Sequence, residues 1–214
     1  MPHRIGVCSW SLRASGPDDL ARKLSMCDVR GVQIALDPVR TGEWNERETI
    51  DRLRDAGVTI LSGMMRTVGE DYSTLETIRD TGGVRRDEHW PANLASAQAN
   101  ADLAQRLGAK LVSFHAGFLP HDRSDPIRIT MIDRLRKIAD IFTARGIHTA
   151  FETGQEDADE LEMFLIKLNR PNVGVNFDPA NMILYDRGDP IDALQTLGKR
   201  IRQVHIKDGN RTKK

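Results

Sequence analysis

Four segments in the second half of the sequence end on groups that bind cations or move protons. Side chains alternate between the two faces of an extended strand. In KLVSFHAG, Val112 and Phe114 share one face, while Ser113 and His115 share the other. In TAFETG, Thr149 and Phe151 align, and Ala150 and Glu152 take the opposite face. In VGVNFDP, Val173, Val175 and Phe177 align, leaving Asn176 and Asp178 opposite; in QVHIKD, Val204 and Ile206 leave Gln203, His205 and Lys207 opposite. A single polar residue at a strand end reads as a salt-bridge or helix-cap partner. Four segments with the same pattern, each ending in a carboxylate or an imidazole, read as a site. Buried carboxylates need partners, because desolvation costs several kcal/mol or more. Two carboxylates and two imidazoles, His115, Glu152, Asp178 and His205, together invite a divalent cation. Mixed oxygen and nitrogen donors suit Mn²⁺, Co²⁺, Zn²⁺ or Fe²⁺ better than Ca²⁺.

The elements that must position these groups follow from hydrophobic periodicity. Seven short apolar runs read as strands: Arg4–Ser11, Gly31–Asp37, Thr59–Arg66, Lys110–Phe118, Ile147–Gln155, Asn172–Pro179 and Ile201–Asp208. Helical spacing links Leu94, Ala97, Ala101, Ala104 and Leu107, then Ile132, Leu135, Ile138 and Phe142, then Leu161, Phe164, Leu165 and Leu168. Gly57, Gly108 and Gly146 each stop a helical stretch just before the next strand. The stretch Gly69–His89 is irregular and reads as a long loop over one face. Strands alternating with helices mean a parallel sheet covered by helices. No Gly-rich phosphate fingerprint follows the first strand, so a dinucleotide-binding sheet is disfavoured. Serial βα units favour a (β/α) barrel, whose sites lie at the C-terminal ends of the strands. Seven units fall short of the usual eight. The expectation is a single TIM-type barrel domain over residues 1–214, lacking the eighth strand and final helix and therefore C-terminally incomplete.

The bulk properties narrow the partners. Lys plus Arg and Asp plus Glu both number 31, for a formal net charge of zero, so nothing points to a nucleic-acid partner. The closing RTKK reads as a solvated tail. Cys8 and Cys27 belong to no CxxC pair, which fits a reducing compartment. No stretch reads as a signal peptide or a membrane span. These features give the expectation of a soluble, cytoplasmic protein.

SFHAG, FETGQE, NFDPANMILYDRGDP and VHIKDGNR carry a resemblance to the xylose-isomerase-like TIM barrels, over about Lys110–Arg211. That family includes sugar phosphate isomerases, ketose 3-epimerases, inosose dehydratases and endonuclease IV. The resemblance implies a divalent metal ion (Mn²⁺, Co²⁺, Mg²⁺ or Zn²⁺) held by Glu152, Asp178 and His205. Glu152 would also be the catalytic carboxylate, and His115, Asn181, Lys207, Arg211 and Gln33 would line the substrate pocket. The implied reaction is isomerisation or epimerisation of a sugar, sugar phosphate or inositol-like polyol through an enediolate. Two departures stand out. Gln33 occupies a place where many members carry Glu, and no eighth strand supplies the family's fourth ligand, also a Glu. The stop at Lys214 therefore reads as a truncation, and the 214-residue chain alone is expected to be inactive or much less active. An unfinished barrel exposes two parallel edges, so a homo-oligomer is expected as well. A non-catalytic or truncated sugar- or metal-binding barrel is the alternative. An endonuclease IV-like nuclease is disfavoured by the absence of further histidine ligands and of net positive charge.

Overall fold

The computed structural model describes residues 5–154 and 156–210. Seven strands form one sheet: β1 (Val7–Cys8), β2 (Gly31–Ala35), β3 (Thr59–Met64), β4 (Leu111–Phe114), β5 (His148–Glu152), β6 (Val173–Phe177) and β7 (Ile201–Val204). They lie in sequence order and every neighbouring pair is parallel, so each connection crosses over outside the sheet. The result is an incomplete TIM-type barrel, with β1 and β7 at its two edges among the described residues. The sheet is nevertheless strongly curled. Ser62 on β3 donates to Gln203 on β7 at 2.5 Å, and His205 beyond β7 meets Gln33 on β2 at 2.8 Å, so side chains bridge opposite walls.

Helices cover the outer face: α1 (Pro17–Met26), α2 (Asp37–Arg40), α3 (Glu46–Asp55), α4 (Leu75–Thr81), α5 (Trp90–Arg106), α6 (Pro126–Thr143), α7 (Ala158–Leu168), α8 (Pro179–Leu184) and α9 (Pro190–Leu197). Their starts are written locally. Asn45, Thr74, Asp125, Asp157, Asp178 and Asp189 each accept a backbone N–H of the following first turn. The core lies between sheet and helices. Phe114, Phe151 and Phe164 are fully buried there, with Phe151 edge-on to Phe114 at 5.3 Å between ring centroids. Alanines 97, 101 and 104 on α5 are equally buried, and their small side chains allow that helix to sit close to the sheet.

The inner face is polar. Gln33 donates to Ser113 at 2.7 Å, and Gln203 donates to Asn176 at 3.2 Å. Buried amides and hydroxyls persist only when paired, so this layer couples β2 to β4 and β6 to β7.

Three expectations change. The first strand is two residues long, because the chain turns at Ser9 into a 3₁₀ segment, Ser9–Leu12; the Ser9 hydroxyl accepts the Ala35 N–H at 2.9 Å and so replaces a strand acceptor. The stretch read as a long loop contains α4, nucleated by a reciprocal cap between Thr74 and Thr77. Val204 and Ile206 were expected to pack under helices, yet they are 49% and 92% exposed, because no described element covers the outer face there. No described helix is long and apolar enough to cross a membrane.

Candidate metal centre

Glu152 closes β5, Asp178 follows β6, and His205 follows β7. Parallel pairing in sequence order sets these three strand ends side by side, and one ligand atom from each lies within 4.8 Å of the others. Asp178 is fully buried and Glu152 is 8% exposed.

Each group is fixed by its own anchor. Asp178 caps α8, with its Oδ1 accepting the Asn181 N–H at 3.0 Å, which leaves Oδ2 facing His205 Nδ1 at 3.5 Å. The Thr153 hydroxyl clamps the backbone beside it, accepting the Asp178 N–H at 2.7 Å and donating to the Asp178 carbonyl at 3.1 Å. Glu152 Oε1 accepts from Asn181 Nδ2 at 2.9 Å and lies 3.7 Å from His205 Nδ1. Glu152 Oε2 is buried without a hydrogen-bond partner among the described residues. His205 Nε2 donates to Gln33 Oε1 at 2.8 Å. In the neutral ring that bond puts the proton on Nε2 and turns the Nδ1 lone pair toward the two carboxylates, as a ligating imidazole requires.

The electrostatics follow from this crowding. Burial by itself would raise the Glu152 pKa, but contact with His205 and the charges of His115 and His205 outweigh it and hold the group below the usual glutamate value. Asp178 is likewise lowered against burial, by His205, the Asn181 N–H and Lys207. Burial pushes His205 down, but Asp178, Cys8 and Glu152 together raise it well above an ordinary imidazole. A proton is thus held among two carboxylates and an imidazole. An orphaned buried carboxylate oxygen and a mixed oxygen and nitrogen donor set fit a divalent cation, which would take over that proton's electrostatic role.

The remaining expected residues fall as follows. His115 is 3.7 Å from Glu152 Oε2 but stands outside the three-donor cluster. Lys207 donates to Asp178 Oδ2 at 3.0 Å and to Asn181 Oδ1 at 2.6 Å, so Asn181 bridges the lysine and Glu152. Gln33 sits behind His205. Arg211 lies outside the described residues. Other contributors had no assigned role in the sequence reading. Strand parity put Asn176 and Gln203 on the inner face, where both contact the His205 ring. Trp10 packs edge-on to His205 at 6.3 Å and Tyr72 edge-on to His115 at 6.1 Å, walling the mouth from segments distant in sequence. Gly154, at φ 124°, lets the chain pass Asn181; a Cβ there would meet Asn181 Cβ at 2.5 Å.

Comparison with solved structures agrees with this architecture. The chain superposes on a xylose isomerase domain protein from Planctomyces limnophilus with a TM-score of 0.85 and 30% identity, over 95% of this chain and 73% of that one. A D-psicose 3-epimerase from Clostridium cellulolyticum H10, solved with D-tagatose, gives a TM-score of 0.71 and 14% identity over 95% of this chain and 72% of that one. A xylose isomerase-like TIM barrel protein from Mycobacterium smegmatis, solved in complex with magnesium, gives 0.68 and 18% over 96% and 75%. The last two likenesses concern the fold alone. A comparison with curated proteins gave no match. Residues 73–214 match the sequence pattern of the same family, so the chain belongs to the xylose isomerase-like TIM barrels.

Proposed function

We propose that this chain is a divalent-cation-dependent isomerase or epimerase acting on a sugar, sugar phosphate or inositol-like polyol. The observation that carries the reading is the convergence of Glu152, Asp178 and His205, with one glutamate oxygen buried and lacking a hydrogen-bond partner among the described residues. These three residues would hold the cation. When bound, the cation supplies Lewis-acid polarisation of a carbonyl and its neighbouring hydroxyl, which acidifies the adjoining C–H.

The chain's own groups supply the rest. For isomerisation, Glu152 takes the proton from that carbon and returns it to the neighbouring carbon, the hydroxyl proton passing to the former carbonyl oxygen, while Asn181 steadies the other glutamate oxygen. Lys207, tethered to Asp178 and Asn181, holds a substrate oxygen or phosphate. Asn181 and His115 present hydrogen-bonding groups to sugar hydroxyls. Trp10 and Tyr72 flank the mouth and limit water access. The free thiols Cys8 and Cys27 suit work in the cytoplasm.

Calorimetric titration with Mn²⁺ tests the reading. The wild-type chain is expected to bind at one site, and Glu152→Gln or Asp178→Asn to weaken binding by about 100-fold or more. Binding should release protons, because a ligating imidazole must be neutral. Equal Mn²⁺ affinity in all three proteins, or no binding to the wild type, would sink the proposal. Turnover of ketoses, polyols and their phosphates that persists in excess chelator would sink it too.

A further inference from the structure

A cavity of about 220 Å³ opens on the side of the sheet where the strands end. Its walls come from segments that follow β3, β4 and β6: Arg79 on α4, Arg85 beyond it, Phe118 and Leu119 after β4, and Arg187 after α8. Asp80 is the one carboxylate in the lining, against three guanidiniums. Among the described residues, no carboxylate lies within ion-pair distance of Arg79, Arg85 or Arg187. That is unusual in this protein, where most of the other described arginines have an acidic partner, such as Arg106 with Glu46 and Arg170 with Asp140.

The three guanidiniums are held in place by other contacts. Arg79 lies over the Phe118 ring at 5.9 Å, and Arg85 donates to the Phe118 carbonyl at a long 3.4 Å. Arg187 Nε is buried without a hydrogen-bond partner among the described residues. Leaving such a donor unsatisfied is destabilising, and an oxyanion would supply the missing acceptor. The neighbouring acid Glu156 is buried and its Oε1 accepts the Leu119 N–H at 2.9 Å; Arg187 acts on it electrostatically, yet the Arg187 Nε is left without a hydrogen-bond acceptor among the described residues.

The cavity is also connected to the candidate metal centre. Phe118 packs edge-on to Tyr185 at 6.0 Å between centroids. Burial and the nearby charges of Glu152 and Asp178 raise the Tyr185 hydroxyl pKa. This aromatic pair therefore links the arginine side to the acids.

We propose that the arginine-lined cavity binds an oxyanion group of the substrate, a phosphate or a carboxylate, while the polyol end reaches across Tyr185 to Glu152, Asp178 and His205. Planar guanidinium forks match the paired oxygens of both groups, and the positive excess of the lining suits their charge. The assignment to substrate rests on the function proposed above; the binding of an anion here does not.

Titration of inorganic phosphate, and separately of acetate, into the full chain tests this, followed by NMR or calorimetry. Saturable phosphate binding is expected, weakened by at least about tenfold in Arg187→Gln and less in Arg187→Lys, which keeps the charge but loses the fork. Arg79 is exposed, so Arg79→Gln should fold normally and still weaken phosphate. Mn²⁺ affinity should be unchanged in all three variants. Phosphate tighter than acetate identifies a phosphoryl group; acetate tighter identifies a carboxylate; both keep the site. Absent saturation, or the same weak binding in wild type, Arg187→Gln and Arg79→Gln, overturns it. Phosphate binding without Mn²⁺ binding would overturn the metal reading and leave the anion site standing.

Discussion

The acidic cluster and the arginine cavity lie on either side of Phe118 and Tyr185, and they are assembled differently. Glu152, Asp178 and His205 come from the ends of three adjacent strands, so the register of the sheet fixes their spacing. Arg79, Arg85 and Arg187 come from a helix and two connections, each positioned by contacts of its own. The acids flank the raised His205 imidazole and are tied to each other by Asn181 and Lys207. Arg79 and Arg85 both rest on Phe118, and none of the three arginines has a carboxylate within ion-pair distance among the described residues. In the proposed function the sheet would hold the cation and the connections the anionic end of the ligand.

Gly154 offers the most forceful way to break that separation. Its backbone at φ 124° brings it against Asn181 on the acidic side, and an added Cβ would also meet the Tyr185 ring at 3.1 Å. Gly154→Ala combines backbone strain with a backbone-level clash and is expected to cost about 3 kcal/mol or more. Both Mn²⁺ and phosphate binding should weaken together. Denaturant unfolding gives the stability loss, and a variant as stable as wild type would show that this segment does not join the two regions.

A smaller effect isolates the cationic side. The Glu156 carboxyl has a folded pKa of about 7, above its ordinary value of 4.5. Below pH 4.5 it is protonated in both folded and unfolded chains, and its contribution to stability is complete. Between pH 4.5 and 7 only the unfolded chain gives up the proton, so stability falls, by up to roughly 3 kcal/mol in this window. Glu156→Gln should flatten this part of the stability profile and be more stable than wild type above pH 7. Parallel profiles for the two proteins would contradict the assignment.

The mildest perturbation targets the boundary. Phe118→Leu removes the edge-on contact with Tyr185 and the ring beneath Arg79. A loss of about 1–2 kcal/mol is expected. Phosphate affinity should drop more than Mn²⁺ affinity, as paired titrations would reveal; the opposite order would place Phe118 with the acids.

What the sequence disclosed divides along the same line. Alternation in KLVSFHAG, TAFETG, VGVNFDP and QVHIKD depends only on local geometry, so the inner-facing positions of Ser113, Glu152, Asp178 and His205 were readable directly. The partners of those groups were less so. Gln33 stacks behind His205 only because the sheet curls, and Thr153 clamps Asp178 only because β5 and β6 are neighbours. The three arginines span more than a hundred positions with no periodicity to join them, and α4 was hidden in a stretch whose start is marked by two threonines rather than by an apolar pattern. Val204 and Ile206 carry the alternation of a covered strand, yet exposure is decided by what packs against it, which no strand encodes.

Asp178 does two jobs with two oxygens, since one caps α8 and the other faces His205 and Lys207. The Asn181 amide that donates to the cap is therefore coupled to the charge state of the cluster. Its rate of hydrogen exchange reports the strength of that cap from inside the site, with no substrate and no assay. Any ligand that draws electron density from Asp178 weakens the carboxylate's hold on this one amide, while the amides of β6, paired on both sides, serve as the internal reference.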